Sequence, residues 1–260
     1  MMNLISSLAH VDPKAQLGAN VTVEPFASIA GDVIIGDNTW VGSNAVIYDG
    51  ARIGSNCRIF NGASISSIPQ DLKFRGEKTT IEIGNNTTVR EFATLNRGTV
   101  AKGKTVIGND CLFMAYAHVA HDCIIGNNVI MVVQTMAGGE VRVDDWAIIG
   151  GGSGVHQFVR IGAHVMMAGG SIAVMDIPPY VRAGRNPLSF MGINSVGLER
   201  RGFSKEKITE IHEIYRVIYN TGKNRTQSLK YLEETFPPTD ERDLIINFFR
   251  TSERGVIRGR

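Results

Sequence analysis

Residues 117–123 read AHVAHDC, which sets His118 and His121 three apart with Asp122 directly after the second. Two imidazoles and a carboxylate this close suit more than one kind of chemistry. A carboxylate beside an imidazole can orient the ring and support it as a general acid or base near neutral pH. Two histidines joined by a third ligand could instead hold a metal ion. A histidine at a turn can also be nothing more than a hydrogen-bonded surface residue. The scaffold that carries these residues, and whatever it brings beside them, has to decide.

That scaffold shows itself as a period. Counting by sixes from Val11 gives Leu17, Val23, Ile29, Ile35, Val41, Ile47, Ile53, Ile59 and Ile65. The register returns at Ile83, Val89 and Leu95, then runs from Ile107 through Phe113, Val119, Ile125, Met131, Ala137, Val143, Ile149, Val155, Ile161 and Met167 to Ala173. Every position is apolar in a chain that is 43% hydrophobic overall, so chance does not explain the run. A six-residue period matches neither the 3.6 of a helix nor the 2 of a plain strand. It fits short strands joined by turns, with one aliphatic residue per hexad pointing inward and frequent Gly and Asn supplying the corners. Three hexads make a triangular coil of about eighteen residues, and successive coils stack as a parallel β-helix about 4.8 Å apart.

Stacking by eighteen brings the chemistry together. Gly139 falls one coil above His121 and Gln157 one coil above that, with His156 beside it. A proton acceptor, a bare glycine N–H and polar side chains along one edge suit acyl transfer, in which one group takes a hydroxyl proton and another stabilises the oxyanion. Such a base is worth roughly 10²–10⁴-fold and such a donor roughly 10²–10³-fold.

The rest of the chain bounds this reading. Its 260 residues carry a formal charge of only +2, which gives no reason to expect nucleic acid as a partner. Three scattered cysteines, Cys57, Cys111 and Cys123, suit reduced thiols in a cytoplasmic protein. No apolar stretch approaches the ~18 residues that cross a bilayer, and the first sixteen residues lack the pattern of a signal peptide, so a soluble protein without membrane insertion is expected. The hexads lapse at 66–82 and at 96–106, where only Ala101 keeps phase; both stretches are expected to be loops that leave the coils. Beyond residue 190 the pattern becomes helical, with Ser204 as an N-cap, Gly222 as a stop, an apolar face of Ile208, Ile211, Tyr215, Ile218 and Tyr219, and two further helices after it. The expected organisation is a β-helix over 1–190 and a small α-helical domain over 191–260.

The hexads resemble those of the hexapeptide-repeat proteins, and that resemblance implies a left-handed β-helix. The ordered set QDLKFRGE, RGT at 97–99, AHVAHDC, AIIGGGSGVHQF, IGAHVM, DIPPYV and GLERRGFS resembles, over nearly the whole chain, the UDP-N-acetylglucosamine acyltransferases that begin lipid A synthesis. The resemblance implies transfer of a 3-hydroxyacyl chain from acyl carrier protein to the 3-hydroxyl of the sugar in UDP-GlcNAc, in the cytoplasm, by a homotrimer with active sites between subunits. It implies no cofactor beyond the phosphopantetheine of the carrier protein, and no metal. Motif by motif, His121 is implied as general base, Asp122 as its support and Gly139 as the oxyanion N–H. His118, Gln70, Asp71 and Lys73 are implied at the sugar nucleotide, and His156 and Gln157 along the channel. Asn194, Arg200 and Arg201 are implied at the nucleotide end, where an arginine fork suits pyrophosphate. Met166 and Gly169 correspond to the acyl-chain ruler, and a glycine at its end is expected to leave room for a long chain.

Two positions depart from the family pattern. Glu140 stands where a histidine is common, and Val196 where an acidic residue is common. Three other readings compete: a paralogous N-acyltransferase, which would carry an extra N-terminal domain for which hexads starting at Val11 leave no room; a metal-dependent hydratase of the same fold; and a solenoid without chemistry.

Overall fold

The computed structural model describes residues 3–259; Met1, Met2 and Arg260, which the expected domain bounds include, lie outside it. The hexads become strands of mostly two residues, and three strands make one turn of a left-handed parallel β-helix. The strands stack into three faces. The first begins with Leu4–Ile5, the second with His10–Val11 and the third with Gln16–Leu17. In the regular coils partners lie eighteen residues apart, as Leu4 pairs Thr22 and Ile130 pairs Ile148. Right-handed crossovers are the rule where long twisted strands impose their twist on the connection. Strands of two residues carry almost no twist, which removes that constraint.

The in-phase aliphatic residues from Val23 to Ala173 are all buried, while Val11 and Leu17, in the first coil, are only partly covered. A second buried row lies two residues before each of them and is filled by small side chains such as Ala45, Ala63, Ala93, Ala117 and Ala147. The three cysteines belong to this row. Each is free, buried, and directs its thiol at a carbonyl, Cys57 at Gly84, Cys111 at Gly126 and Cys123 at Gly138, 3.1 Å in each case. Burial raises all three pKa values, Cys111 to about 11 and Cys123 to about 12.

Both insertions are narrower than the hexad count suggested. The ends of the first stretch, Ser64–Ser67 and Thr80–Ile83, are strands, so only 68–79 leave the coil; Lys104–Ile107 is likewise a strand, leaving 97–103 as the second loop. Thr-rich segments lack the aliphatic signature but pair well on a half-buried sheet. Ala101 is in phase by accident, exposed within the second loop. Partners across the insertions are therefore thirty residues apart (Ser64 and Thr94) and then twenty-four (Thr94 and His118). Both loops leave a second-face strand and return to a third-face strand, so they emerge from one edge of the prism on consecutive coils.

The boundary expected at residue 190 falls inside a strand. Val181–Gly184 continues the first face, and Ser189–Ile193 folds back on it antiparallel as the last strand. Four helices follow: α1 (Ser195–Arg200), α2 (Lys205–Asn220), α3 (Arg225–Thr235) and α4 (Asp240–Arg250). Ser204 caps α2, its hydroxyl accepting from the Lys207 N–H, and Gly222 follows the helix at φ +72°. Helix α2 buries Ile211, Ile214, Tyr215 and Val217, and Phe190 stacks on Tyr219 at 4.3 Å, so the helices close the last coil. Such a cover is what an open solenoid end requires. No helix among the described residues is long and apolar enough to cross a membrane.

Candidate active site

His121 and Asp122 occupy the turn between the strands His118–Val119 and Ile124–Ile125, on the edge that carries both loops. Asp122 takes the left-handed conformation there, φ +60°, which turns its side chain inward until it is 1% exposed. Its Oδ2 accepts from His121 Nδ1 at 2.8 Å and from the Thr99 hydroxyl at 2.6 Å, and its Oδ1 accepts the Thr99 backbone N–H at 2.9 Å. Asp122 N–H donates to Thr105 Oγ1 at 2.9 Å. A buried carboxylate tied by three donors cannot swing. It fixes the hydrogen of His121 on Nδ1 and leaves Nε2 as the basic nitrogen, facing out of the turn.

Gly139 lies directly above. A Cβ at Gly139 would sit 2.6 Å from His121 Cε1 and 2.7 Å from Nε2, so only glycine fits against the ring. Its neighbours have their N–H groups engaged, Gly138 with the Val155 carbonyl and Glu140 with that of His121, while the N–H of Gly139 has no acceptor among the described residues. An unengaged N–H beside a basic nitrogen is the pairing that acyl transfer needs. One coil higher, His156 and Gln157 are exposed on the same edge, with His156 Nδ1 3.1 Å from the Gln157 carbonyl oxygen.

The first loop brings Asp71 to this edge, its carboxylate 4.0 Å from His121 Nε2. Asp71 also accepts the Lys73 N–H at 2.9 Å, which fixes the local turn, and Gln70 and Lys73 are exposed beside it. His118, on the second face, holds its Nδ1 2.7 Å from the Thr94 hydroxyl. Burial lowers its pKa and the neighbouring His121 adds to the shift, so His118 is neutral at pH 7. Glu140, the departure from the family pattern, lies beside Gly139 in a left-handed turn position and pairs with Lys102 of the second loop at 3.8 Å.

The remaining expected residues lie apart from His121 within one chain. Asn194 is nearly buried and its amide is spent on the fold: Oδ1 accepts the Gly197 N–H at the start of α1, and Nδ2 donates to the His164 carbonyl at 2.9 Å. Arg201 donates to His164 Nδ1 at 3.3 Å and lies over the Trp146 ring at 5.3 Å, on the edge between the third and first faces. Arg200 is exposed in the last turn of α1, and Val196 is exposed on the same helix. Met166 lies on the first face and Gly169 on the edge between the first and second, where a Cβ would come 3.1 Å from the Gly151 carbonyl oxygen. Among the described residues no cluster of three or more His, Cys, Asp or Glu is placed to hold a metal ion. Two residues of the site were not singled out in the sequence, Thr99 and Thr105; the only available sign was the position of Thr99 within the RGT motif of a loop that leaves the coils beside AHVAHDC.

Comparison with known proteins identifies the family. Residues 176–257 match the family described as UDP N-acetylglucosamine O-acyltransferase, domain 2, and residues 32–67 and 104–131 match the bacterial transferase hexapeptide repeat. The acyl-(acyl-carrier-protein) UDP-N-acetylglucosamine O-acyltransferase of Burkholderia lata is 45% identical over 195 residues, 73% of this chain and 74% of that one. The crystal structure of LpxA, a UDP-N-acetylglucosamine acyltransferase from Bacteroides fragilis, superposes with a TM-score of 0.97 at 49% identity, covering 98% of this chain and all of that one. That of the Francisella novicida UDP-N-acetylglucosamine acyltransferase gives 0.95 at 36% identity, covering 98% and 94%. With this identity sustained over both the coils and the helical cap, the chain belongs to the UDP-N-acetylglucosamine O-acyltransferase family of hexapeptide-repeat proteins.

Proposed function

We propose that this chain transfers a 3-hydroxyacyl group from acyl carrier protein to the 3-hydroxyl of the GlcNAc moiety of UDP-GlcNAc, the first step of lipid A biosynthesis. The observation that carries the mechanism is the edge itself: His121 Nε2 is free, its Nδ1 is tied to the buried Asp122 at 2.8 Å, and the unengaged Gly139 N–H lies against the ring. His121 Nε2 takes the proton of the sugar hydroxyl as the oxygen attacks the thioester carbonyl. The oxyanion of the tetrahedral intermediate accepts the Gly139 N–H, and Asp122 stabilises the imidazolium. Collapse breaks the C–S bond, and the departing thiolate recovers the proton from Nε2, which restores the base. No cofactor enters beyond the phosphopantetheine arm of the carrier protein.

His118, neutral and half-buried, orients the sugar; Asp71, with Gln70 and Lys73, closes over it from the first loop, and His156 and Gln157 line the path above. Asn194 acts by shaping the start of α1, while Arg200 and Arg201 bind the pyrophosphate and nucleotide. The three C-terminal groups lie on a different edge from His121, and the second face exposes apolar side chains, Met136 at 55% and Ile172 at 59%. Both facts support a cyclic homotrimer in which the nucleotide end of each site comes from a neighbouring copy. Carrier-protein chemistry and a nucleotide sugar fit the cytoplasm. Met166 and Gly169 measure the acyl chain, and the glycine admits a long one.

Transfer from 3-hydroxyacyl carrier protein to UDP-GlcNAc, assayed for the wild type and His121→Ala with and without chelator, tests this. Expected is chelator-resistant activity that falls at least about a hundredfold without His121. Absence of wild-type transfer, or its abolition by chelator, overturns the assignment. A panel of carrier-protein thioesters tests the ruler, and a preference for C10 over C14 and longer would refute it.

A further inference from the structure

We propose that Thr99 is a positioning residue of the reaction, whose hydroxyl shares the Asp122 oxygen with His121 and so sets how strongly the carboxylate draws on the imidazole hydrogen. The inference rests on His121 being the base. Residues 100–103 of the second loop are exposed, Val100 at 77%, yet Thr99 is only 6% exposed. What it is buried against is the Asp122 carboxylate, which it meets with both its N–H and its hydroxyl.

The direction of the hydroxyl bond follows from counting hydrogens. Thr99 Oγ1 accepts the Ala101 N–H at 3.2 Å, so its own single hydrogen is free for Asp122 Oδ2 at 2.6 Å. The Thr99 carbonyl accepts the Gly103 N–H at 2.7 Å, and with that bond the residue is tied at every polar atom. Oδ2 therefore receives two hydrogens, one from Thr99 and one from His121 Nδ1, and each donor draws electron density that the other would otherwise use. Deleting the hydroxyl leaves a carboxylate equally buried but with one donor fewer. It then leans harder on His121 and favours the protonated ring, which makes the base slower to release its proton and lets it fill at higher pH. The valine isostere removes this donor together with the acceptor of the exposed Ala101 N–H, and serine keeps both.

The experiment compares Thr99→Val and Thr99→Ser with the wild type and His121→Ala in acyl transfer to UDP-GlcNAc across pH 5–9, with the imidazole N–H of His121 followed by NMR in the substrate-free protein. For Thr99→Val, kcat is expected to fall roughly ten- to a hundredfold, the range a hydrogen bond to a buried charge is worth. KM for UDP-GlcNAc should change less than about twofold, the acidic limb of kcat/KM should move up by about half a pH unit, and the Nδ1 proton should shift downfield. Thr99→Ser should stay within about threefold of the wild type. A Thr99→Val enzyme with wild-type kcat and limb, a loss confined to KM, or a serine variant as impaired as the valine one would overturn the proposal. Loss of activity in His121→Ala with Thr99→Val unaffected removes this inference alone, whereas full activity in His121→Ala removes the base assignment beneath it.

Discussion

Two edges of the same prism are built from the same turn and put to opposite uses. On the edge between the third and first faces, the turn N–H equivalent to that of Gly139 is capped by a side chain from the coil above. Ala19 donates to Asp37 at 2.7 Å, Ser55 to Asn85 at 2.8 Å, Asn85 to Asn109 at 2.8 Å, Asn109 to Asn127 at 2.9 Å and Asn127 to Asp145 at 2.7 Å. The left-handed corner beside it is held by Asn20, Asn38, Asn56, Asn86, Asp110 and Asn128, residue types that tolerate positive φ. On the edge between the second and third faces, no such cap meets the N–H of His121, Gly139 or Gln157 among the described residues. Gln157 stands where Asp145 stands on the other edge, and the corners are taken by Asp122, Glu140 and Phe158. A glutamate and a phenylalanine at positive φ cost of order 1 kcal/mol or more apiece. One edge spends these N–H groups on caps that hold the coils together; the other leaves that of Gly139 uncapped, and that is where we place the chemistry.

If the difference between the edges is what makes the enzyme, substitutions that erase it should be the most damaging. Gly139→Ala forces a methyl against the His121 ring and displaces the N–H with it; kcat should fall at least about a hundredfold, with the fold retained by circular dichroism. Next comes a variant that makes the active edge resemble the structural one. Gln157→Asp offers the Gly139 N–H the carboxylate that Asp145 offers Asn127. Unfolding in denaturant should show a gain of about 0.5–1 kcal/mol, while kcat drops roughly tenfold because the oxyanion loses its donor. The reverse change weakens the structural edge: Asn109→Ala uncaps Asn85, and stability should fall by about 1 kcal/mol with kcat unchanged. A fall in kcat there equal to that of Gln157→Asp would mean that the two edges are not functionally distinct.

The smallest effect concerns pH. Near its upper end the structural edge gives up asparagine for a stack of Trp146, His164 and Tyr180, with rings 6.3 and 5.5 Å apart. Burial, and then the Arg201 guanidinium, lower the His164 pKa from 6.5 to about 4. Because the unfolded chain takes up that proton near pH 6.5 and the folded one only near 4, this group's contribution to stability is complete above 6.5 and is lost as pH falls through that window. The Tm of the wild type should decline from pH 6.5 to 4 more steeply than that of His164→Gln, and parallel slopes would reject the assignment.

The coils were legible because a period of six repeated more than twenty times leaves little room for another structure. The column of His121, Gly139 and Gln157 followed from arithmetic on that period and stands as counted. What was hidden lies where the period gives no purchase. The strand ends at Thr80 and Lys104 carry no aliphatic signal, and α1 is six residues with a single buried side chain, Leu198. The antiparallel return at Ser189–Ile193 breaks the pattern that defined everything before it. Thr99 was invisible for a related reason: a small polar residue in a polar loop reveals its role only once the loop is folded back on Asp122.

The spacing of eighteen residues between partners also governs how the molecule comes into being. Each coil finds its pairing partner in the segment just before it, so loop closure is cheap and the sheet can grow rung by rung from one end, as low contact order allows. The active edge, however, draws on residues from Asp71 to Gln157, spread over five consecutive coils. A nascent chain that has completed the coil of His121 already holds that ring against Asp122, itself tied to Thr99, but it gains the uncapped N–H of Gly139 only when the next coil closes over it. On the proposed mechanism the base and its oxyanion donor are thus set one coil apart during assembly, while the nucleotide end waits for the helical cap of a neighbouring copy.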